Sequence, residues 1–289
     1  MAVTIDDLPF VEYGRGLAVS REGTTRLLAA LSVHGVPAIG FVNEDKLFAP
    51  GELDARVGLL EAWLDAGLDL GNHTWGHVGF QSTPLDRYQE SVLKGEVVTR
   101  WVMARRSKAP RFFRHPFTQT GPTREDKAAF ESFLAAHGYA VAPFTIENSD
   151  WVFALAYAQA RREGDEDLSR RLRQAYLEHA DTMVTFFEGE ARALFGREIP
   201  QVLLVHANEL HADCAAAMLA RLRERGYAFV SLAEALADPA YRSEDAFIDR
   251  IGPSWLHRWR VARGQDPREA LGREPDPPPW VLKLYSSSR

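Results

Sequence analysis

The stretch Gly67-Leu68-Asp69-Leu70-Gly71-Asn72-His73-Thr74-Trp75-Gly76-His77 decides how the rest of the chain is read. Its first part is a short apolar strand, and polar residues begin where the strand stops. Just upstream, Leu53, Val57, Leu60 and Leu64 recur at helical spacing, so a helix face leads into that strand. The same unit of helix, strand and polar tip recurs along the chain. Strands are predicted at residues 2–5, 38–42, 67–70, 111–113, 140–146, 201–205 and 228–231. Asp6-Asp7, Asn43-Glu44, Asn72-His73, Arg114-His115, Glu147-Asn148 and His206-Ala207-Asn208 all follow strand ends.

Alternating strands and helices imply a parallel sheet with right-handed crossovers. In a β/α barrel, the carboxyl ends of the strands are where sites are built. Seven such units predict an α/β fold, a distorted and incomplete (β/α)7 barrel, with an open doubly wound sheet as the rival. Pro84 suits the first turn of a helix behind Thr83, and Pro122 to Asp126 opens another with acidic residues at its start. His211 to Arg225 reads as a helix closed by Gly226.

Residues 152–196 break the rhythm with a helical insertion, two helices or a hairpin, around the charged run Arg161 to Asp167. The default reading is a solvated surface excursion, and a wall of the cleft is the alternative. The division expected is a barrel over residues 1–238 and a C-terminal extension over 239–289. The extension, with Trp255, Trp259, Trp280 and a proline-rich run from Pro275 to Pro279, should pack on the barrel and bury its tryptophans.

The chain has 289 residues, 46% of them hydrophobic, enough for one large domain or two small ones. A net charge of -6 disfavours a nucleic-acid partner. Cys214 is the single cysteine, so no intrachain disulfide can form. No apolar run reaches the roughly 18 to 20 residues of a membrane span. A strand beginning at Ala2 leaves no loose N-terminal residues, which raises the expectation of a leader ahead of it in the native gene product.

Two imidazoles four residues apart fall on one face of a helical turn, close enough to grip one metal ion. A zinc-type ion takes a third protein ligand and keeps a position open for water. Asp6-Asp7 offers that ligand and a carboxylate base beside it. The combination points to hydrolytic chemistry through a metal-activated water.

Five short motifs stand in order: Thr4-Ile5-Asp6-Asp7, His73-Thr74-Trp75-Gly76-His77, Arg114-His115-Pro116-Phe117, Glu147-Asn148-Ser149-Asp150-Trp151 and Leu203-Leu204-Val205-His206. Together they resemble the NodB-type polysaccharide deacetylases of carbohydrate esterase family 4, whose motifs run TFDDG, H(S/T)xxH, RxPY, DxxDW and LxxH. The resemblance covers roughly residues 1–235 and implies a distorted β/α barrel.

Carried over residue by residue, the resemblance makes Asp7, His73 and His77 the metal ligands and Asp6 the general base. Arg114 would pair with Asp6 and keep it charged. His206 would be the general acid, oriented and kept protonated by Asp150. Trp151 and Leu203 would line a small acyl pocket, and the Phe117 N–H would help form the oxyanion site. The ion would be divalent, with Zn2+ favoured and Co2+, Ni2+ or Fe2+ open.

The chain departs from the family pattern at Leu8-Pro9 where Gly is usual, at Phe117 for Tyr, at Glu147 for Asp, and at Trp75-Gly76 inside the second motif. The activity implied is removal of N-acetyl groups from amino-sugar units of an N-acetylated glycan. Hydrolysis of O-acetyl esters or of cyclic imides or ureides is the alternative, and a catalytically poor glycan-binding protein is a third reading. A periplasmic or secreted setting is favoured over the cytoplasm. Asn208 and Glu209 follow the candidate acid and could touch substrate on loop placement alone, and Asn43 is a similar case. No role falls to His34, His115, His137, His179, His211 or His257.

Overall fold

A computed structural model describes residues 1–287. Six strands form one parallel sheet: β1 (Ala2–Val11), β2 (Ile39–Val42), β3 (Asp69–Asn72), β4 (Phe112–Phe113), β5 (Ala140–Val141) and β6 (Val202–Asn208). Their order is β5-β4-β3-β2-β1-β6, and every ladder is parallel. The sheet curls until its two edges meet. Ile146 bridges Leu203, its N–H donating to the Val202 carbonyl at 3.0 Å while Leu204 N donates to the Ile146 carbonyl at 2.9 Å. The strands are buried on both faces, with Ile5, Leu8, Phe41, Val42, Leu70, Phe113 and Val205 in the core. That is the pattern of a parallel sheet wrapped by helices.

The barrel is a six-stranded one, so two expectations need correction. Residues 228–231 do not form a seventh strand. They touch β1 only at its start, where the Met1 amino group donates to the Ala228 carbonyl at 2.7 Å and Val230 N donates to the Met1 carbonyl at 3.0 Å. Ser231 then caps the next helix through a capping box with Glu234, which turns the chain away before a ladder can grow. The fifth predicted strand, residues 140–146, keeps only its first two residues on β4. Pro143 has no N–H to give a ladder. Beyond it the chain crosses to β6 at Ile146.

Helices α1 (Leu17–Val33), α2 (Leu53–Asp65), α3 (Leu85–Lys94), α4 (Val97–Ala104) and α5 (Arg124–Ala136) serve the first crossovers. The insertion is a hairpin of α6 (Asp150–Glu163) and α7 (Glu166–Phe195), turned at Gly164 in the left-handed region (φ 72°). It is not a solvated excursion. Phe153, Tyr157, Leu172, Tyr176, Met183 and Phe187 are buried, and the charged run forms only the tip. After α8 (Glu209–Glu224) come α9 (Leu232–Leu236), α10 (Trp255–Ala262), α11 (Pro267–Leu271) and α12 (Pro279–Ser287). Trp255 and Trp259 are buried, and Arg171 lies over the Trp280 ring at 4.9 Å. No helix among the described residues is long and apolar enough to cross a membrane.

Side-chain caps stop several helices from leaving bare N–H groups. Thr123 accepts from Asp126 N and Asp165 from Leu168 N, each worth about 1 kcal/mol. Gly71 shows how tightly β3 is threaded. A Cβ there would sit 2.5 Å from the Phe41 ring and 2.8 Å from the Phe112 carbonyl.

Candidate active site at the carboxyl ends of the strands

β1 delivers Asp6 and Asp7 at a break in its ladder. Its register with β2 shifts between Ile5 and Leu8, and Asp7 adopts a left-handed conformation (φ 72°). A bulge of this kind re-aims the side chains of the bulged strand. On the other side, Asp6 pairs in register with His206 of β6. The two groups read as base and acid thus start from neighbouring strands at one level.

The histidine pair is not on a helical turn. Thr74 and His77 both have positive φ (67° and 51°), and residues 73–77 form an irregular loop. Its backbone bonds go elsewhere: His73 N to the Val42 carbonyl, Thr74 N to Asn72 Oδ1, and Trp75 N to the Ser91 carbonyl. Asn43, read from the sequence as a possible substrate contact, is buried and donates its Nδ2 to the His73 carbonyl at 2.5 Å. The loop still brings the two imidazoles together, with ring centroids 5.0 Å apart.

Asp7, His73 and His77 each offer a ligand atom, and those atoms lie within 4.8 Å of one another. His73 Nε2 and His77 Nε2 lie 3.9 Å and 3.6 Å from Asp7 Oδ1. The residues fit a metal on three independent grounds. His73 Nδ1 lies 2.7 Å from the Arg114 carbonyl, which can only accept, so the proton sits on Nδ1 and Nε2 keeps its lone pair. Burial pushes both histidines below their ordinary pKa, which keeps them neutral as ligands must be. Asp6 Oδ1 and Asp7 Oδ1 are buried with no hydrogen-bond donor, and the only cation paired with either atom among the described residues is Lys46 on Asp7 Oδ1, so a further cation would relieve a costly arrangement. Burial works against the Asp7 charge, but Lys46 and His77 outweigh it and hold the carboxyl well below the usual range. Lys46, with Nζ 3.2 Å from Asp7 Oδ1, is a neighbour that no motif singles out.

Arg114 is wholly buried beside Asp6, with Nη1 3.5 Å from Asp6 Oδ2. Its Nη2 donates to Thr4 Oγ1 at 2.9 Å, and the Thr4 hydroxyl donates onward to the Leu203 carbonyl at 2.8 Å. Phe41 and Phe144 flank the guanidinium at 5.0 Å and 5.7 Å. The expectation that Arg114 keeps Asp6 fully ionised is only half met. Burial is the larger effect, and it pushes the Asp6 carboxyl up to about 6 despite the arginine.

His206 answers Asp6 from β6. Its Nδ1 lies 2.7 Å from Asp150 Oδ1, and its N–H donates to Asp150 Oδ2 at 2.8 Å. Asn208 Nδ2 adds a third hydrogen bond to Asp150 Oδ2 at 3.1 Å while Asn208 Oδ1 caps α8. Asn208 is therefore a support for Asp150, and it is buried away from solvent. Glu209 is held between Arg15 and Arg161 in ion pairs. Burial opposes a charge on His206, but Asp150 wins and raises its pKa to about 9. Asp150 itself is lowered: burial opposes its charge, and His206 overcomes it. The side chain of His206 keeps 19% of its surface exposed, so its Nε2 face is open to the cleft.

The remaining expected residues take up mixed positions. Phe117 has a left-handed backbone (φ 53°, ψ 12°) and an exposed ring packed edge-on against His77, centroids 4.5 Å apart. Its N–H has no acceptor among the described residues. Trp151 opens α6 beside Asp150, with its ring edge against Tyr285 of α12 at 5.3 Å. Leu203 is fully buried in β6, where its carbonyl receives the Thr4 hydroxyl. Glu147, half-buried and pushed up to about 7 by desolvation, accepts from Ser149 N at 2.9 Å. His115 stays outside the site, buried among aromatic rings with Tyr88 Oη 3.1 Å from its Nδ1.

With this geometry in hand, the likeness to known proteins is specific. The fold is that of the carbohydrate esterase family 4 barrels. BA3943 of Bacillus anthracis, a family 4 pseudoenzyme, superposes with a TM-score of 0.54 at 17% identity, over 81% of this chain and 64% of that one. The peptidoglycan deacetylase PdaC of Bacillus subtilis gives 0.52 at 16% identity, over 83% and 91%. A family 4 carbohydrate esterase of Streptomyces lividans in complex with acetate gives 0.50 at 18%, over 81% and 94%. The chain spans just under two thirds of the length of BA3943. No curated protein matches it in sequence. Residues 1–133 match the sequence profile of the polysaccharide deacetylase family. That match holds the first three motifs, and the fold brings the other two, beyond residue 133, to the same site.

Proposed function

We propose that the chain is a metal-dependent hydrolase that removes N-acetyl groups from amino-sugar units of a glycan. One observation carries the reading. A three-ligand cluster is flanked by Asp6 and His206, which start in register from adjacent strands and favour opposite protonation states near neutral pH. The family match and the peptidoglycan deacetylases among the similar folds support it.

When bound, a divalent ion of the zinc type brings a water molecule to neutral pKa and polarises the acyl oxygen. Asp7, His73 and His77 would hold it. Asp6 would take up a proton from the attacking water, and Arg114, fixed by Thr4, favours the charge that Asp6 needs to do so. An amine leaves poorly unless protonated. His206 has Nδ1 committed to Asp150, so it delivers its proton from Nε2 to the departing nitrogen. The Phe117 N–H is the donor left over for the negative charge growing on the acyl oxygen. Trp151 and Leu203 stand on the acyl side in this reading, and an envelope or extracellular glycan is the natural setting.

Acetate release from N-acetylglucosamine oligomers and peptidoglycan, with chelated and zinc-reloaded protein side by side, tests this. Metal-dependent release is expected. A second reading, hydrolysis of aryl acetates or cyclic imides, draws on the apolar Phe117 ring beside His77. Turnover of those compounds alone by the zinc-loaded protein would favour it.

A further inference from the structure

We propose that the C-terminal extension is a working part of the reaction site, with Arg258 as the positioning residue that sets the Phe117 N–H. The inference rests on the deacetylase reading for what the N–H does, but not for the clamp itself. Phe117 and Thr118 are successive non-glycine residues in the left-handed region (φ 53° and 51°). Such a conformation is costly for a residue with a side chain and persists only where the surroundings over-determine it. Within the loop, the turn is held by Thr118 N to the His115 carbonyl and Gln119 N to the Pro116 carbonyl, with Thr118 Oγ1 also 2.7 Å from the Phe117 carbonyl.

The rest of the restraint arrives from the far end of the chain. Arg258 of α10 is wholly buried. Its Nη2 donates to the Thr118 carbonyl at 2.5 Å, Nη1 to Thr120 Oγ1 at 3.1 Å and Nε to the Pro253 carbonyl at 2.9 Å. The guanidinium lies 4.0 Å from the Trp255 ring, and Asp245, also paired with Lys127, is its counter-charge at 3.5 Å. A second clasp lies alongside. The Thr118 hydroxyl donates to the Gly252 carbonyl, and Gln119 Nε2 donates to the Arg250 carbonyl at 2.8 Å. Gly252 fits so closely that a Cβ there would stand 1.8 Å from Thr118 Oγ1 and 2.1 Å from the Phe117 carbonyl.

Burying a guanidinium is a poor way to gain stability, because desolvation offsets most of the attraction. It is a good way to fix two acceptors of one turn at once, since the planar fork has donors in set directions. The turn it fixes carries the Phe117 N–H, which has no acceptor among the described residues and is available to a developing oxyanion. Oxyanion donors act by being in place beforehand.

The test uses the full-length zinc-loaded protein and the variants Arg258→Met, Arg258→Lys and Gly252→Ala. Four quantities are read: kcat and KM on an N-acetylglucosamine oligomer, zinc affinity against a chelating dye, and amide hydrogen exchange over residues 115–120. Arg258→Met and Gly252→Ala are expected to lower kcat by about 10²- to 10³-fold, the usual cost of losing an oxyanion donor, with KM and zinc affinity unchanged. Exchange over residues 115–120 should quicken, and Arg258→Lys should recover only part of the loss. A folded Arg258→Met protein with the parent kcat and exchange overturns the proposal. If Arg258→Met does not fold, Gly252→Ala decides by the same two readouts. Should the parent release no acetate with zinc bound, the deacetylase reading fails, and exchange alone then upholds or overturns the clamp.

Discussion

His73 and His206 are two imidazoles at one end of one barrel, and each holds Nδ1 2.7 Å from an oxygen. The oxygen facing His73 is the neutral carbonyl of Arg114, and the one facing His206 is a carboxylate of Asp150. That single difference sorts their chemistry. With a carbonyl at its back, His73 is driven neutral by burial and presents a lone pair. With a carboxylate at its back, His206 is held protonated up to about pH 9 and presents a proton. The acceptor behind the ring, more than the depth of the ring, decides whether a histidine binds a cation or donates an acid proton.

The largest effect should come from removing the lone-pair side. His73→Ala is expected to abolish tight zinc binding and to lower kcat/KM by on the order of 10³-fold or more, as several kcal/mol of Lewis-acid stabilisation goes. Zinc titration alongside acetate release checks this, and a variant that keeps both would remove His73 from the ligand set. Next comes Asp150→Asn, which makes the acceptor behind His206 neutral like that behind His73. Its kcat should fall by about 10²- to 10⁴-fold, and the alkaline limb of the rate profile should move down from about 9 toward the ordinary histidine value. An unmoved limb would show that His206 is not the acid.

The parent enzyme's own pH profile sharpens the contrast further. Asp6 must be ionised to accept a proton, so the rate should drop as pH falls through its pKa. That limb lies at or below about 6, because a bound dication lowers the value. His206 must be protonated to give one, so the rate should also drop as pH rises through about 9. The smallest effect is expected from Thr4→Val. It leaves Arg114 Nη2 without its acceptor, costing about 1–3 kcal/mol of stability in thermal melts and only a few-fold in kcat.

The sequence reads well where chemistry demands particular side chains and poorly where distant segments meet. Asp6, Asp7, His73, His77, Arg114, Asp150 and His206 were legible because they stand in order at strand ends. Spacing alone misled over the histidine pair, because Asn72, Val42 and Ser91 take up hydrogen bonds that a helical turn would have kept to itself. The supposed seventh strand has the right residues, but its neighbour is the single residue Met1. Pro143, visible in the sequence, was a fair warning against a long fifth strand. Lys46 and Arg258 could not be picked out, and Asn208 was read as a substrate contact where it supports Asp150, since each acts on residues that only folding brings beside it. The charged tip of the α6–α7 hairpin hid how much apolar surface its two helices bury.

The barrel is a hoop with a clasp. Five of its joints are ladders, and the sixth, between the ends of the sheet, is the single bridge at Ile146. Asp6 and His206 sit across the β1–β6 joint, the longest ladder in the molecule, so their separation is insulated from any slackness at the clasp. Asp150 is four residues past the clasp and is tied back to β6 through His206 N and Asn208 Nδ2. A hoop of this design sets the distance between its two proton-handling groups through its longest ladder and orients the acid with a carboxylate that arrives just past its closing bridge.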